Sequence, residues 1–358
     1  MIRLYGLSIG NGSFARVAAG MRGALERMGL LAGFVPLDAY DPETPYDGAR
    51  ADLAVYVGIP SNVGIVQNIG WHAKRWMLLP PNSSWVPTEM LEVVRQHVTG
   101  LLAPTKWAEG VLQGYAVPLG LEVSVWRHGV DEGFQPDEGA YEARRTEYAQ
   151  GQFRVLHMAS TSRERKGTRE LIEGWTQAVK ANRLGARPTL HLVVEDFSGK
   201  YVDAAEMAAD GNAELLRTIE WGAPRANMDV QTCTSFYQQH HVVAQPSRGE
   251  AFGMVPLESR CCGVPIVATN CTGHSASISP GAPGVVVVTT GPDEQIDDGP
   301  GARGPSLRPD DVARGLVEAY QSWPELQQAA YDFAPMLARD WSWDRVTKEW
   351  LSTYITPQ

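Results

Sequence analysis

Cysteine is scarce in this sequence, and the few cysteines do not form a metal-binding or disulfide pattern. The 358 residues contain four of them, Cys233, Cys261, Cys262 and Cys271. Two are adjacent, and no cysteine or histidine pair has the spacing of a zinc site. The sequence therefore predicts small free thiols in a reduced compartment.

A membrane-spanning run and a leader-like start are also lacking. No apolar stretch reaches the length of about 20 residues that a transmembrane helix needs. Residues 1–6 already have the pattern of a strand, without a basic segment followed by an apolar one. We therefore expect a cytoplasmic protein without stable membrane insertion.

Positive charge is not in excess in either half of the chain. The net charge is −10, of which −4 comes from residues 1–150 and −6 from the remainder. This distribution argues against broad contact with the phosphate backbone of a nucleic acid. The length and an apolar content of 44% predict two globular domains, each with its own core.

Strand and helix patterns alternate throughout, which predicts an α/β fold. Apolar runs predict strands at 2–8, 33–37, 53–57, 76–79, 100–103, 123–127, 153–158, 189–195, 216–220, 242–244 and 265–269. Amphipathic patterns predict helices at 14–28, 107–115 (capped by Thr105), 137–150, 168–182, 309–322 and 343–354. Residues 291–308 are rich in Gly, Pro and Asp, and this composition predicts a mobile loop.

The most informative segment is 246–258, where two glutamates stand eight positions apart. An apolar run precedes Glu250, and Pro256 fits the first turn of a helix that carries Glu258. Parallel sheets bind ligands at such strand-to-helix turns, and a helix N-terminus suits a phosphate or a polar sugar face. On these residues alone, a helix cap at Glu250 and a solvated charge at Glu258 are an alternative.

Three other patterns accompany the two glutamates in a fixed order. They are Gly129, Val130 and Asp131 with Phe134 and Pro136 after them, the basic turn 163–167 after a strand pattern, and the aromatic residues Phe333, Trp341 and Trp343. In this order the patterns resemble those of the retaining nucleotide-sugar glycosyltransferases of family four. The resemblance covers most of the C-terminal two thirds of the chain.

The resemblance implies the GT-B fold, in which two Rossmann-like domains face each other across a cleft. Residues 1–137 would form the acceptor domain, 138–152 a linker and 153–336 the donor-binding domain. Residues 337–358 would hold a C-terminal helix that packs back on the first domain.

The resemblance also assigns roles to the segment with the two glutamates. Glu250 would accept hydrogen bonds from hydroxyls of the transferred sugar, and Glu258 from the ribose hydroxyls, since a carboxylate accepts from two donors. Backbone N–H groups of Phe252 and Gly253 would assist Glu250. Met254 and Val255 would lie near the phosphates through their backbone.

The basic turn departs from the family pattern at one position. Lys166, followed by glycine, keeps the family spacing and would stabilise the leaving diphosphate. The position of the family's arginine is Ser160, and either Arg163 or Arg165 would replace it. A solvated basic turn is the alternative.

Two elements of the first domain complete the predicted site. The loop with Gly12 and Ser13 would lie near the donor phosphates, although it lacks the full dinucleotide fingerprint and a plain tight turn is the alternative. His72 would face the donor sugar, with a structural histidine as the alternative. Residues 221–225 lie where the family reads the nucleotide base.

The function that the resemblance implies is transfer of a sugar from a UDP- or GDP-sugar to an acceptor hydroxyl, with retention. We expect no cofactor beyond this donor and no metal, since no Asp-x-Asp pattern lies near the motif. The acceptor is a small molecule, a lipid, a protein or a modified nucleobase. Alternatives are a GT-B epimerase or phosphorylase, and a non-catalytic nucleotide-sugar-binding protein.

Overall fold

The computed structural model describes residues 1–10, 12–41, 51–65, 69, 72–159, 164–196, 198–223 and 228–355. The chain divides into two compact units, one of Met1–Asp131 with Asp340–Gln358 and one of Glu132–Arg339. Each unit contains a six-stranded parallel sheet with helices. The prediction of an α/β chain with two Rossmann-like domains is confirmed. In the described part of the chain, no helix combines the length and the apolar character needed to cross a membrane.

The first unit is built on a sheet with the strand order β2-β1-β3-β4-β5-β6. Its strands are β1 (Ile2–Gly6), β2 (Leu31–Pro36), β3 (Leu53–Val57), β4 (Lys74–Leu78), β5 (Gly100–Ala103) and β6 (Glu122–Val125). Its helices are α1 (Ser13–Arg27), α2 (Thr88–Val94), α3 (Lys106–Ala116) and the last helix of the chain, α12 (Trp343–Ile355). The hydroxyl of Thr105 caps α3 by accepting from the N–H of Ala108 at 3.1 Å, as the sequence predicted.

Helix α12 joins the first unit through close packing on α1. The Trp343 ring occupies the space that a side chain at Gly20 would fill, so the two helices approach closely only because that residue is glycine. Arg27 forms an ion pair with Asp344 at 2.6 Å beside this contact. The C-terminal segment is thereby part of the first unit.

The second unit has the strand order β12-β11-β10-β7-β8-β9. Its parallel strands are β7 (Gln152–Ala159), β8 (Arg187–Val194), β9 (Ile219–Trp221), β10 (Val242–Gln245), β11 (Ile266–Thr269) and β12 (Val285–Val288). Its helices are α4 (Glu138–Ala149), α5 (Thr168–Lys180), α6 (Lys200–Ala209), α7 (Ala213–Leu216), α8 (Val230–Gln238), α9 (Met254–Cys261), α10 (Pro309–Gln321) and α11 (Trp323–Asp340). Strands β10 and β11 are fully buried, which explains why their sequences are short continuous apolar runs rather than alternating ones.

The prediction of a mobile loop over 291–308 is wrong. The strands β13 (Asp293–Gln295) and β14 (Arg303–Pro305) pair antiparallel within it, and Ile296 and Ala302 are buried. Gly, Pro and Asp are common in turns, and they are abundant here because a turn connects the two strands of the hairpin. The same composition is typical of mobile loops, so it did not indicate the strands. The patterns also did not predict the helices α2, α6, α7, α8 and α11 or the strand β12.

Candidate functional site

The loops after β7 and β10 meet at one edge of the second sheet. The two strands are neighbours, with Val242 paired to Val155. Strands β8 and β9 lie on one side of β7, and the later strands β10, β11 and β12 lie on the other, so the direction of strand addition reverses between β7 and β10. In parallel sheets, ligands bind at the carboxyl ends of the two strands where this reversal occurs. The loops are joined directly, since the N–H of Arg248 donates to the carbonyl oxygen of Arg165 at 2.6 Å.

The carboxylate of Glu250 is buried among positive charges. Lys166 Nζ lies 2.5 Å from Oε1, and Arg165 Nη1 lies 3.5 Å from Oε2. The hydroxyl of Ser247 also donates to Oε1, at 3.1 Å. Burial by itself raises the pKa of Glu250, but Lys166 and Arg165 outweigh it and lower the pKa to about 2. Glu250 is therefore ionised at neutral pH, and it is not the cap of α9, which is Gly253.

Arg165 links the two loops and is itself buried. Its Nη1 donates to the carbonyl oxygen of Gly249 at 2.6 Å, and its Nε lies 3.4 Å from Oδ1 of Asp298. The guanidinium group thus holds both the backbone before Glu250 and the carboxylate itself. These contacts suit Arg165 to positioning the Glu250 loop.

The backbone conformation and the close surroundings of residue 167 explain why a glycine follows Lys166. It has a φ of +67° and stands at the N-terminus of α5. A Cβ at this position would overlap the carbonyl oxygen of Pro246 in the neighbouring loop. Only glycine tolerates both constraints, so this residue allows the approach that brings Lys166 to Glu250.

The segment after β11 supports the backbone of Glu250. The N–H of Glu250 donates to the hydroxyl of Thr272 at 3.0 Å. The N–H of Gly273 donates to the carbonyl oxygen of Glu250 at 2.7 Å. Glu250 is therefore fixed through its side chain by the first loop and through its backbone by this segment.

His274 extends the same support to the N-terminus of α9. Its ring lies against Gly253, which caps α9 with a φ of +91°. Nδ1 is 3.3 Å from the carbonyl oxygen of Thr269, which can only accept, so Nδ1 carries the proton. Burial lowers the pKa of His274, and the ring is neutral at neutral pH. The ring therefore packs against the backbone at the point where α9 begins.

Gly253→Ala is expected to destabilise the protein by about 2–4 kcal/mol, because the new Cβ would overlap the His274 ring and the backbone is left-handed. Gly211→Ala is the matched control, since Gly211 has a φ of +75° and no neighbour within 4 Å of a Cβ. It should cost only about 1–2 kcal/mol. Urea unfolding of both variants measures the difference, and equal losses would contradict the packing role of His274.

Glu258 lies in α9, and its side chain is almost fully buried. The hydroxyl of Tyr237, on α8, donates to Oε2 at 2.6 Å. A buried carboxylate with a fixed partner is not a solvated surface charge, so that alternative is rejected. Glu258 is instead held in one orientation on the helix that begins beside Glu250.

The other predicted residues of this segment surround the start of α9. Met254 is its first residue and Val255 its second. The side chains of Phe252 and Val255 are buried, so these residues would reach a ligand through their backbone. The free N–H groups of the first helical turn make this end favourable for an anion.

Among the predicted residues, Ser160, Arg163 and Arg225 lie outside the described residues. Trp221, at the end of β9, is described and is exposed.

Gly12 and Ser13 belong to the first unit, where α1 begins at Ser13. The preceding loop is tied by Asp38, whose carboxylate accepts from the N–H groups of Ser8 at 2.9 Å and Ile9 at 2.8 Å. The bond from the Ser8 N–H is the main cause of the lowered pKa of Asp38. These two N–H groups are therefore bonded to a carboxylate of the same unit, whereas Gly12 and Ser13 are exposed.

His72 is also in the first unit and is buried. Its Nε2 lies 3.3 Å from the hydroxyl of Tyr5, and its Nδ1 lies 3.3 Å from the carbonyl oxygen of Ala51. Burial lowers its pKa, so the ring is neutral at neutral pH. Both contacts are structural, and its role towards a sugar stays a prediction.

The sequence patterns did not indicate several residues that shape the site, namely Ser247, Thr272, His274, Tyr237 and Asp298. For Thr272 and His274 a signal existed. They directly follow β11, the neighbour of β10, and the carboxyl ends of parallel strands share one edge. Tyr237 and Asp298 come from α8 and the hairpin, and no local pattern connects them to the glutamates.

A family model described as "Family 4 Glycosyltransferase in conflict systems" matches residues 123–349. Among curated relatives, a D-inositol 3-phosphate glycosyltransferase of Gordonia bronchialis is 31% identical over 122 residues. Its counterpart in Corynebacterium urealyticum is 30% identical over 140 residues. These alignments cover 33% and 39% of this chain but only 25% and 28% of the relatives, so the matched stretch is about a quarter of their length.

Solved structures match over nearly the whole chain. Sucrose-phosphate synthase from Thermosynechococcus elongatus has a TM-score of 0.71 at 13% identity, and the match covers 99% of this chain and 98% of that one. Anabaena HepE in complex with UDP-glucose has a TM-score of 0.67 at 16% identity, with 99% of both chains covered. At such low identity these likenesses establish the fold.

Proposed function

Since the chain belongs to the family 4 glycosyltransferases of conflict systems, we propose that it transfers a sugar from a UDP- or GDP-sugar to an acceptor hydroxyl with retention at the anomeric carbon. The GT-B fold predicted from the sequence agrees with this membership. The observation that carries the proposal is the buried contact of Lys166 with Glu250, three residues before the cap of α9.

The arrangement suits a nucleoside diphosphate-sugar because the two carboxylates are separated, with Glu250 before the cap of α9 and Glu258 within the helix. The first N–H groups of α9, together with Lys166, which contacts Glu250, would bind a diphosphate with about two negative charges at this end. Glu250 at that end would accept hydrogen bonds from the transferred sugar. Glu258, one turn further and oriented by Tyr237, would accept them from the ribose.

The reaction that we propose breaks the bond between the anomeric carbon and the diphosphate oxygen, and forms a bond between that carbon and the acceptor oxygen on the same face. The acceptor proton passes to the leaving phosphate oxygen. Charge grows on the diphosphate as its bond breaks, so Lys166 stabilises the transition state more than the ground state. Arg165 acts indirectly in this scheme, by holding Glu250.

Support for a UDP-sugar comes from the structural relatives, of which Anabaena HepE binds UDP-glucose. In the first unit, Gly12, Ser13 and His72 are proposed contacts of the donor. Ser160 and Arg163 belong to the proposed donor loop. The acceptor is proposed among small molecules, lipids, proteins and modified nucleobases, and the reaction is proposed to need no metal.

The test is acceptor-dependent turnover in the presence of a strong chelator. UDP- and GDP-sugars are incubated with acceptors of each class, and the released nucleotide and the product mass are measured. We expect nucleotide release only with acceptor, a product heavier by one sugar, and an unchanged anomeric configuration by NMR. Release without acceptor would indicate an epimerase or hydrolase, binding without release a non-catalytic protein, and loss of activity restored by magnesium a metal-dependent enzyme.

A further inference from the structure

The hairpin formed by β13 and β14 is an unusual connection for a parallel sheet. It lies in residues 289–308, between the end of β12 and the start of α10. Connections of this type usually have about 2–6 residues, and longer ones often carry function. The hairpin follows the carboxyl end of β12, which is the edge of the sheet that carries the site.

The hairpin is anchored to the Glu250 loop by Arg248. Nε of Arg248 donates to the carbonyl oxygen of Pro305 at 3.0 Å, and its Nη2 pairs with Glu294. Gly304 packs so closely on the carbonyl oxygen of Arg248 that a Cβ would overlap it. These contacts fix both strands of the hairpin to the residue two positions before Glu250.

The anchored hairpin brings Asp298 to the site. Its Oδ1 lies 3.4 Å from Nε of Arg165, the residue that also contacts Glu250. The side chains of Asp298 and Arg165 are 12% and 8% exposed. The proposed reaction gives Asp298 no role, although it is a nearly buried carboxylate beside the proposed diphosphate site.

The formal charges of the four side chains in this cluster sum to zero. Lys166 and Arg165 are positive, Glu250 and Asp298 are negative, and each is 8–12% exposed. At such low exposure water and salt screen the charges weakly, so a single charge changes the attraction for an anion strongly.

We propose that Asp298 sets how tightly the site holds a diphosphate, by balancing the charge of Arg165 so that the nucleotide product is released. This inference rests on the proposed function. Removing its charge while keeping its size should therefore tighten the binding of a nucleoside diphosphate. A charge removed several Å from a doubly negative ligand at an effective dielectric constant of about 20 corresponds to a gain in affinity of about tenfold or more.

Asp298→Asn is compared with Asp297→Asn, which changes the same chemistry one residue away at an exposed position. Calorimetry with UDP, GDP, ADP and inorganic pyrophosphate should show about tenfold tighter binding for Asp298→Asn and a change below twofold for Asp297→Asn. Asp298→Glu restores the charge and should return the affinity to near that of the wild type.

Weaker binding by Asp298→Asn, or equal binding in the two asparagine variants, would overturn the inference while leaving the proposed function standing. A change that Asp298→Glu fails to reverse would also overturn it, because it would show a structural rather than an electrostatic effect. If the wild type binds none of the four probes, the proposed function fails, and the inference fails with it. The wild-type titration alone distinguishes these cases.

Discussion

Replacing Lys166 with methionine is expected to lower the rate of sugar transfer by about 10²–10³-fold, the loss seen when one preorganised charge-stabilising donor is removed from an active site. Methionine keeps most of the length and the apolar stem, so the change removes mainly the ammonium group. That group lies 2.5 Å from Oε1 of Glu250, which stands three residues before the cap of α9. The loss should appear chiefly in kcat, because charge on the leaving diphosphate grows towards the transition state.

The structural cost of this change has to be measured separately. Removing one partner of a buried ion pair destabilises a protein by up to about 3–5 kcal/mol, although Arg165 still compensates Glu250 here. Lys180→Met is the control for loss of a lysine charge, since Lys180 is exposed at the end of α5. A folded Lys166→Met variant with the transfer rate of the control would contradict the role of Lys166.

The second large effect is a division of roles between Glu250 and Glu258. Glu250→Gln should lower kcat by about 10²-fold, because the charged acceptor for the sugar hydroxyls is lost. It should not weaken nucleotide binding, since Lys166 and Arg165 lose a neutralising partner. Glu258→Gln should weaken nucleotide binding about tenfold, as expected for the loss of hydrogen bonds to a charged group.

Stopped-flow turnover and calorimetry with UDP and GDP measure the two effects independently. Tyr237→Phe provides a graded control, because it removes the hydrogen bond that orients Glu258 but keeps the carboxylate. Its effect on affinity should have the same direction as that of Glu258→Gln and be smaller. Equal effects of Glu250→Gln and Glu258→Gln on both quantities would reject the division.

The sequence predicted the parts of the site that depend on local patterns. Apolar periodicity and glycine indicate the local backbone conformation. They therefore predicted the buried run before Glu250, the helix after Gly253 and the turn at the glycine after Lys166. The strands β7, β10 and β11 lie where these patterns placed them, within a few residues. The order of the motifs was enough to indicate the family.

The contacts that define the charge of the site were not predictable, because they join residues far apart in sequence. Asp298 reaches Arg165 only through the hairpin, and the composition of the hairpin suggested a mobile loop. Arg165 appeared as a candidate phosphate ligand, whereas its bonds to Gly249 and Glu250 suit it to positioning. Likewise, the burial of Glu258 follows from α8 packing on α9, which no spacing within 246–258 reports.

The most direct test of the account is a calorimetric titration of the wild type and of Lys166→Met with UDP, GDP and ADP. We expect UDP or GDP to bind the wild type with one site per chain. We also expect the affinity to fall at least tenfold in Lys166→Met and to stay unchanged in Lys180→Met. The assignment of this site to a nucleoside diphosphate-sugar is contradicted if none of the three nucleotides binds the folded wild type. It is also contradicted if Lys166→Met binds the nucleotide with the same affinity as the wild type.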